Sequence, residues 1–150
     1  MGAGAAVRTR ADPYRAAFRR VTRYVVTQLL AGNDYVVRGL EMYYVLNLSP
    51  SDVATVLRVP VGRVRGWLQR VHDAGLGAAV AARVAPAVLM RVRGARLTPL
   101  LVPVPDGGGM LRCRVCGASV PPSKAAAHVV NKHRDIVMRY VDALLPLLSP

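Results

Sequence analysis

Four residues limit what this chain can fold into more than any others. Cys113, Cys116, His128 and His133 stand in the spacing C-x(2)-C-x(11)-H-x(4)-H. A tetrahedral ion needs two thiolates from a tight strand turn and two imidazoles from successive turns of one helix. Met110–Val120 is expected to supply the hairpin, and Pro122 onward the helix, running to about Leu145. Histidines five apart converge on one ion only if the helix tightens or widens locally. The quartet uses both cysteines and two of the three histidines of the chain. A disulfide or redox pair of Cys113 and Cys116 would not need two histidines at ligand spacing. The donor set therefore predicts Zn²⁺. Binding of order 10–16 kcal/mol would decide whether so small a lobe folds at all.

The segment resembles a two-cysteine, two-histidine zinc finger. Leu111 and Val120 sit where such fingers keep apolar core residues, and the gap between the ligand pairs is one residue shorter than in most members. The resemblance places the base-reading positions at Pro121, Lys124 and Ala127. Proline and alanine offer no donor to a base edge, and Lys124 alone specifies little. A structural finger is expected, with Lys124, Lys132 and Arg134 available to phosphates. His128, Asn131 and His133 echo a nuclease by letters, but all lie on one helix and two serve better as metal ligands.

Charge narrows the function classes. Lys and Arg number 21 and Asp and Glu number 8, for a net charge of +13. Nineteen of the cations are arginine. The acids are scattered singly, which excludes paired-carboxylate glycosidases and multi-acid Mg²⁺ sites. No catalytic Ser/His/Asp set or phosphate loop stands out, and a non-enzymatic protein is expected. The excess is spread along the chain: residues 1–73 carry +6, residues 74–110 +3 and residues 111–150 +4. Such a balance predicts an anionic partner, most often nucleic acid. No apolar stretch approaches the ~18 residues of a membrane span. The opening MGAGAAVRTRADPYR lacks the apolar run of a secretory signal, so a cytoplasmic location is expected.

The expected fold class is α+β, mostly α. Residues 1–11 read as a flexible N-terminus, 12–85 as a helical bundle, 86–109 as a β connection, and 110–150 as the ββα finger with an extended C-terminal helix. Asp12 and Pro13 suit the start of a first helix, with Tyr14, Phe18, Val21, Val25 and Leu29 as its apolar stripe. Arg15, Arg19, Arg20 and Arg23 lie mostly off that stripe, either as a solvated face or as phosphate ligands. A second helix is read over about Asp34–Leu46. Gly77–Val84 reads as a further short helix. Val88, Met90 and Val92 alternate with Arg91 and Arg93, which favours a strand. Leu97–Val104 is a second strand candidate, confined to an edge by Pro99 and Pro103. Ile136, Val137, Tyr140, Val141, Leu144 and Leu145 form a ridge that needs cover, from the chain's own helices or from a second copy in a homodimer.

Residues 49–70 read SPSDVATVLRVPVGRVRGWLQR. Two short helices are expected, Ser51–Arg58 and Val61–Asp73, crossing at the small Ala54 over Val53, Leu57, Val59, Val64 and Trp67. Ser49 or Ser51 can cap the first. Pro60 stops the first helix and opens the second, and Gly75 ends the second. This stretch resembles a helix-turn-helix, spanning about 49–72, and its second half is similar to the DNA-reading helix of bacterial sigma factors. The turn often places a glycine in the left-handed conformation, where this chain has Arg58. The resemblance implies groove-facing positions at Val61, Gly62, Arg65, Gly66 and Gln69. Arg65 suits guanine and Gln69 adenine, with Arg63 and Arg70 on phosphates. A plain packed helical hairpin is the alternative.

The reading as a whole is a sequence-preferring double-stranded DNA-binding protein, a transcription regulator, with a structural zinc finger. Arg15, Arg19, Arg23 and Lys124 join the expected DNA contacts. Two other readings stay open. One is an RNA- or ribosome-associated zinc-binding factor. The other is a protein-docking module of a transcription complex, with RNA polymerase as a partner.

Overall fold

Apolar spacing in the N-terminal half becomes helix. The computed structural model of the chain describes residues 13–148. Five helices come first: α1 (Pro13–Leu30), α2 (Asp34–Tyr44), α3 (Pro50–Leu57), α4 (Val61–Ala74) and α5 (Ala78–Gly94). Three short strands follow, β1 (Leu101–Pro103), β2 (Leu111–Cys113) and β3 (Ser119–Val120). A 3₁₀ turn at Pro122–Lys124 then leads into α6 (Ala125–Lys132) and α7 (Arg134–Leu148). The chain is mostly helical with a small antiparallel sheet, as composition and periodicity led us to expect. The expected cap at Asp12 and the N-terminal segment 1–11 lie outside the described residues.

α1 is the axis of the molecule. Val21, Val25, Val26 and Leu30 are fully buried, and Leu29 nearly so. This buried face is wider than the predicted stripe because α1 packs against α2, α4, α5, α6 and α7. Gly32, at φ +84°, ends the helix in a backbone region that side chains rarely adopt. No single helix among the described residues is long and apolar enough to cross a membrane.

Two local expectations fail, each for a physical reason. Val88–Arg93 is not a strand but the end of α5. Val84, Ala85, Val88, Leu89 and Val92 are buried while Met90 is exposed. That is a helical period, laid against α1. Pro86 sits inside α5, where it removes one hydrogen bond at a cost of about 3 kcal/mol. Five buried side chains on the same face outweigh that cost. The long helix expected from Pro122 to Leu145 is also broken. It opens with the 3₁₀ turn and stops at His133, whose φ of −129° and ψ of 36° leave the helical region. Its amide still closes the last turn of α6 by donating to the Val129 carbonyl, at 2.9 Å. Its carbonyl accepts from the Ile136 amide at 3.1 Å, starting α7. The apolar ridge of α7 buries Val137, Val141 and Leu144 on α1 and α5 of its own chain.

The sheet runs in the order β1-β2-β3, antiparallel throughout. Pro103, which cannot donate to a ladder, lies on edge strand β1 as expected. The sheet is tied to the helical body by the Leu100 amide, which donates to the Leu30 carbonyl at 2.7 Å. Leu101, Cys113, Val120, Ala125 and Val129 are buried in the same core as the helices.

Candidate functional site

The hairpin β2–β3 and helix α6 bring the Cys/His quartet together. Cys113 ends β2, and Gly117 at φ +76° turns the chain back toward β3. The Cys113 carbonyl accepts from the Gly117 amide at 2.9 Å, which closes a tight loop around Cys116. His128 projects from α6, and His133 sits at the break between α6 and α7. The chain makes the two histidines converge by breaking the helix, not by locally winding it tighter or looser.

The four ligand atoms all lie within 4.8 Å of one another. Cys113 Sγ and His133 Nε2 are 3.3 Å apart, and Cys116 Sγ and His128 Nε2 are 3.5 Å apart. Metal–ligand bonds of about 2.0–2.3 Å in a tetrahedron require ligand atoms roughly 3.3–3.8 Å apart. These two pairs meet that requirement, and the remaining separations, up to 4.8 Å, would have to close slightly around an ion. Cys113 and His133 are buried and Cys116 is exposed, so the cluster is sealed from the core side and open at one edge. Burial pushes the Cys113 thiol up, but hydrogen bonds from the Cys116 and Val115 amides and the Cys116 side chain outweigh it and hold the thiol below its ordinary value. Burial, followed by the neighbouring His133 and Lys132, lowers the pKa of His128. Thiolate and neutral imidazole are the forms that bind a cation, so both shifts prepare the cluster as a metal site.

The second candidate is α4 with α3 before it. Ser49 caps α3 by accepting from the Asp52 amide at 3.1 Å. Arg58 adopts the left-handed conformation, φ 57° and ψ 46°, at the end of α3. Val53, Ala54, Val64 and Trp67 are buried between the helices, with Leu57 and Val59 partly buried beside them. Helix α2 also reaches this core through Gly39. A Cβ there would stand 2.7 Å from the Trp67 ring, so a glycine is required for the approach.

With Val64, Trp67, Leu68 and Val71 turned inward, the opposite face of α4 is exposed. Gly62, Arg63, Arg65, Gly66, Gln69 and Arg70 are all solvent-exposed, and Val61 is half-buried. A Cβ at Gly62 or Gly66 would meet nothing within 4 Å, so the backbone itself is open to approach. The Gln69 amide donates to Asp73 Oδ1 at 2.9 Å, one turn on.

The outlying cations divide. Arg23 lines a cleft between α1, α4 and α6 together with Arg63 and Arg70. Arg19 instead donates to Asp142 at 2.9 Å and ties α1 to α7. Arg15 and Lys124 are exposed but do not line that cleft. Arg20, read from the sequence as part of a solvated face or as a phosphate ligand, lines it too, as do Tyr35 and Trp67, which were not expected at a site. Arg20 stands three residues from Arg23 and so shares its face of α1, a signal present in the sequence. Nothing local marked Tyr35. Compared with protein-family models, curated proteins and solved structures, the chain has no significant match.

Proposed function

We propose that this chain is a non-enzymatic, sequence-preferring double-stranded DNA-binding protein, a transcription regulator in which α3 and α4 act as a helix-turn-helix. The observation that carries this reading is the outward face of α4. It presents Arg65 and Gln69 on a helix whose other side is locked into the core. A helix so mounted can enter a major groove, where Arg65 suits guanine and Gln69 adenine. The open backbone at Gly62 and Gly66 permits close approach to the groove floor. Arg63 and Arg70 flank that face toward the phosphates, and the charge of +13 supplies long-range attraction. The two-thiolate, two-imidazole donor set selects Zn²⁺, held by Cys113, Cys116, His128 and His133 in a finger-like ββα lobe. There the ion would supply structural cross-linking of hairpin to helix.

A gel-shift salt series on duplex DNA tests the proposal. With 6–10 phosphate contacts, affinity drops about 10³–10⁵-fold from 50 to 200 mM salt. Arg65→Ala relaxes the preference among sequences selected from a random duplex pool, while Arg63→Ala weakens every sequence alike. Negligible duplex binding at low salt, or tighter binding to folded RNA in competition, refutes it.

A further inference from the structure

Acids neutralise the chain's arginines unevenly. Arg93 pairs with both Asp34 and Glu41, at 2.6 and 2.5 Å. Arg19 pairs with Asp142. By contrast, Arg23, Arg63 and Arg70 meet no carboxylate among the described residues, although all three line one cleft. Arg20 joins them there, and its guanidinium reaches only the Asp73 backbone carbonyl, at 3.4 Å. Asp73 is the single acid on the lining, hydrogen-bonded to the neutral Gln69 amide, so four arginines face one carboxylate. Four like charges gathered around one cavity repel one another, and an anion between them relieves that repulsion.

The cleft is not only cationic. It has a volume of about 920 Å³, at the upper end of the range for sites that enclose small organic ligands. The side formed by α6 and the turn before it is lined by Pro122, Ser123, Ala126, Ala127 and Val130. It is mostly apolar and carries no charge, with the Ser123 hydroxyl as its one polar side chain. At the mouth stands Tyr35, 41% exposed, with its ring braced edge-on by Trp67 at 5.7 Å between centroids. Tyr24 also lines the cleft. Its hydroxyl, which burial pushes up to about 12, is a hydrogen-bond donor at neutral pH like any tyrosine.

One cationic side, one mostly apolar side and an exposed aromatic ring braced by Trp67 fit a ligand with the same division. We infer that the cleft between α1, α4 and α6 binds an unpaired nucleotide, with phosphate on Arg20, Arg23, Arg63 and Arg70 and base against Tyr35 and the α6 wall. A duplex keeps its bases stacked inside and cannot offer that apolar half. The inference shares Arg63 and Arg70 with the duplex reading of α4 but is separable from it: it uses neither Arg65 nor Gln69 and adds Arg20 and Tyr35. The ligand is either a free nucleotide or the exposed end of a single strand, since both present the same phosphate and base.

Trp67 is the only tryptophan of the chain and lines the cleft, so its emission reports occupancy. The full chain is titrated with adenosine monophosphate, with a single-stranded tetranucleotide and with pyrophosphate. Saturable quenching by either nucleotide ligand, with pyrophosphate binding at least about tenfold weaker, is the expected result. Quenching by the monophosphate assigns a free nucleotide, and quenching by the tetranucleotide alone assigns a strand end. Arg20→Gln weakens the complex about tenfold, the value of one charge-assisted hydrogen bond. Tyr35→Ala reduces discrimination against pyrophosphate while leaving the fold's circular dichroism unchanged. Arg65→Ala leaves nucleotide binding intact. Pyrophosphate binding as tightly as either nucleotide, or no saturable change in Trp67 emission, overturns the inference. Loss of duplex binding alone refutes only the helix-turn-helix reading.

Discussion

The helical body and the Cys/His lobe solve the same problem by different means. Helices α1 to α5 hold one another through a continuous apolar face, with Val21, Val25, Val37, Leu40, Val64 and Leu89 almost wholly buried. The lobe from β1 to α6 has strands of two or three residues and places Leu101, Cys113, Val120, Ala125 and Val129 in the shared core. Three short strands and two turns of helix bury too little surface to stand alone. In the body the pattern of apolar residues dictates geometry. In the lobe the backbone break at His133 gathers four Cys and His side chains around one point.

The sharpest way to break this comparison is to remove the ligands. On the zinc reading proposed above, chelation or Cys113→Ser forfeits binding of order 10–16 kcal/mol. Amide hydrogen exchange is expected to show loss of protection from β2 to α6, while the amides of α1 to α5 keep theirs. If the lobe stays protected without its ligands, the division drawn above is wrong. Acid acts on the same lever. His128 has a folded pKa below its ordinary 6.5. The unfolded chain therefore takes up that proton first, and stability falls as the pH drops below about 6.5 toward the folded value. Proton competition at the ligands acts in the same direction. Protection of the lobe, followed from pH 7 to pH 5, should decline well before that of α1.

A body residue gives the converse. Leu40 is 1% exposed on α2. Leu40→Ala should cost about 2–5 kcal/mol, read as a lower denaturant midpoint for the whole chain. A loss confined to α2 would mean that the body lacks the cooperativity assigned to it.

These two modes also explain what the sequence made legible. The Cys/His spacing picked out the four residues that the fold brings within 4.8 Å of one another, because ligand chemistry leaves little freedom in residue type. A serine cap, realised at Ser49 of the two candidates, and the buried Ala54 followed from local rules, and the left-handed Arg58 from the helix-turn-helix resemblance. The end of α5 did not. Val88, Met90 and Val92 alternate, but Val84, Ala85 and Leu89 complete a helical face whose worth depends on α1, more than fifty residues away. Pro86 strengthened the misreading, since its cost is local and its compensation is not. The cleft was hidden for the same reason: Arg20, Arg63 and Tyr35 lie on three different helices.

Gly39→Ala sharpens the comparison at the joint between α2 and α4. Alanine gains about 1 kcal/mol in helix propensity at an interior position. Against that, the new Cβ meets the Trp67 ring at 2.7 Å and Leu57 at 3.1 Å. Overpacking of this kind costs typically 1–3 kcal/mol. The net expectation is a loss of about 1 kcal/mol, accompanied by altered Trp67 emission. Unchanged emission with a gain in stability would show that Trp67 is loosely held and that α4 is not a fixed mount.

The smallest effect is expected at Arg58. Its left-handed backbone costs an arginine about 1–2 kcal/mol, and glycine escapes that cost. Glycine also loses more freedom on folding, by roughly 0.5–1 kcal/mol. Arg58 is exposed and forms no ion pair among the described residues, so its side chain contributes little to offset either figure. Arg58→Gly should therefore stabilise the fold by about 0.5 kcal/mol, measurable as a small rise in denaturant midpoint at unchanged slope. The turn between α3 and α4 is set by backbone geometry alone if this holds. A loss of stability instead would show that the Arg58 side chain has a role in the turn, and that the body too contains a place where a specific group, not apolar pattern, fixes the shape.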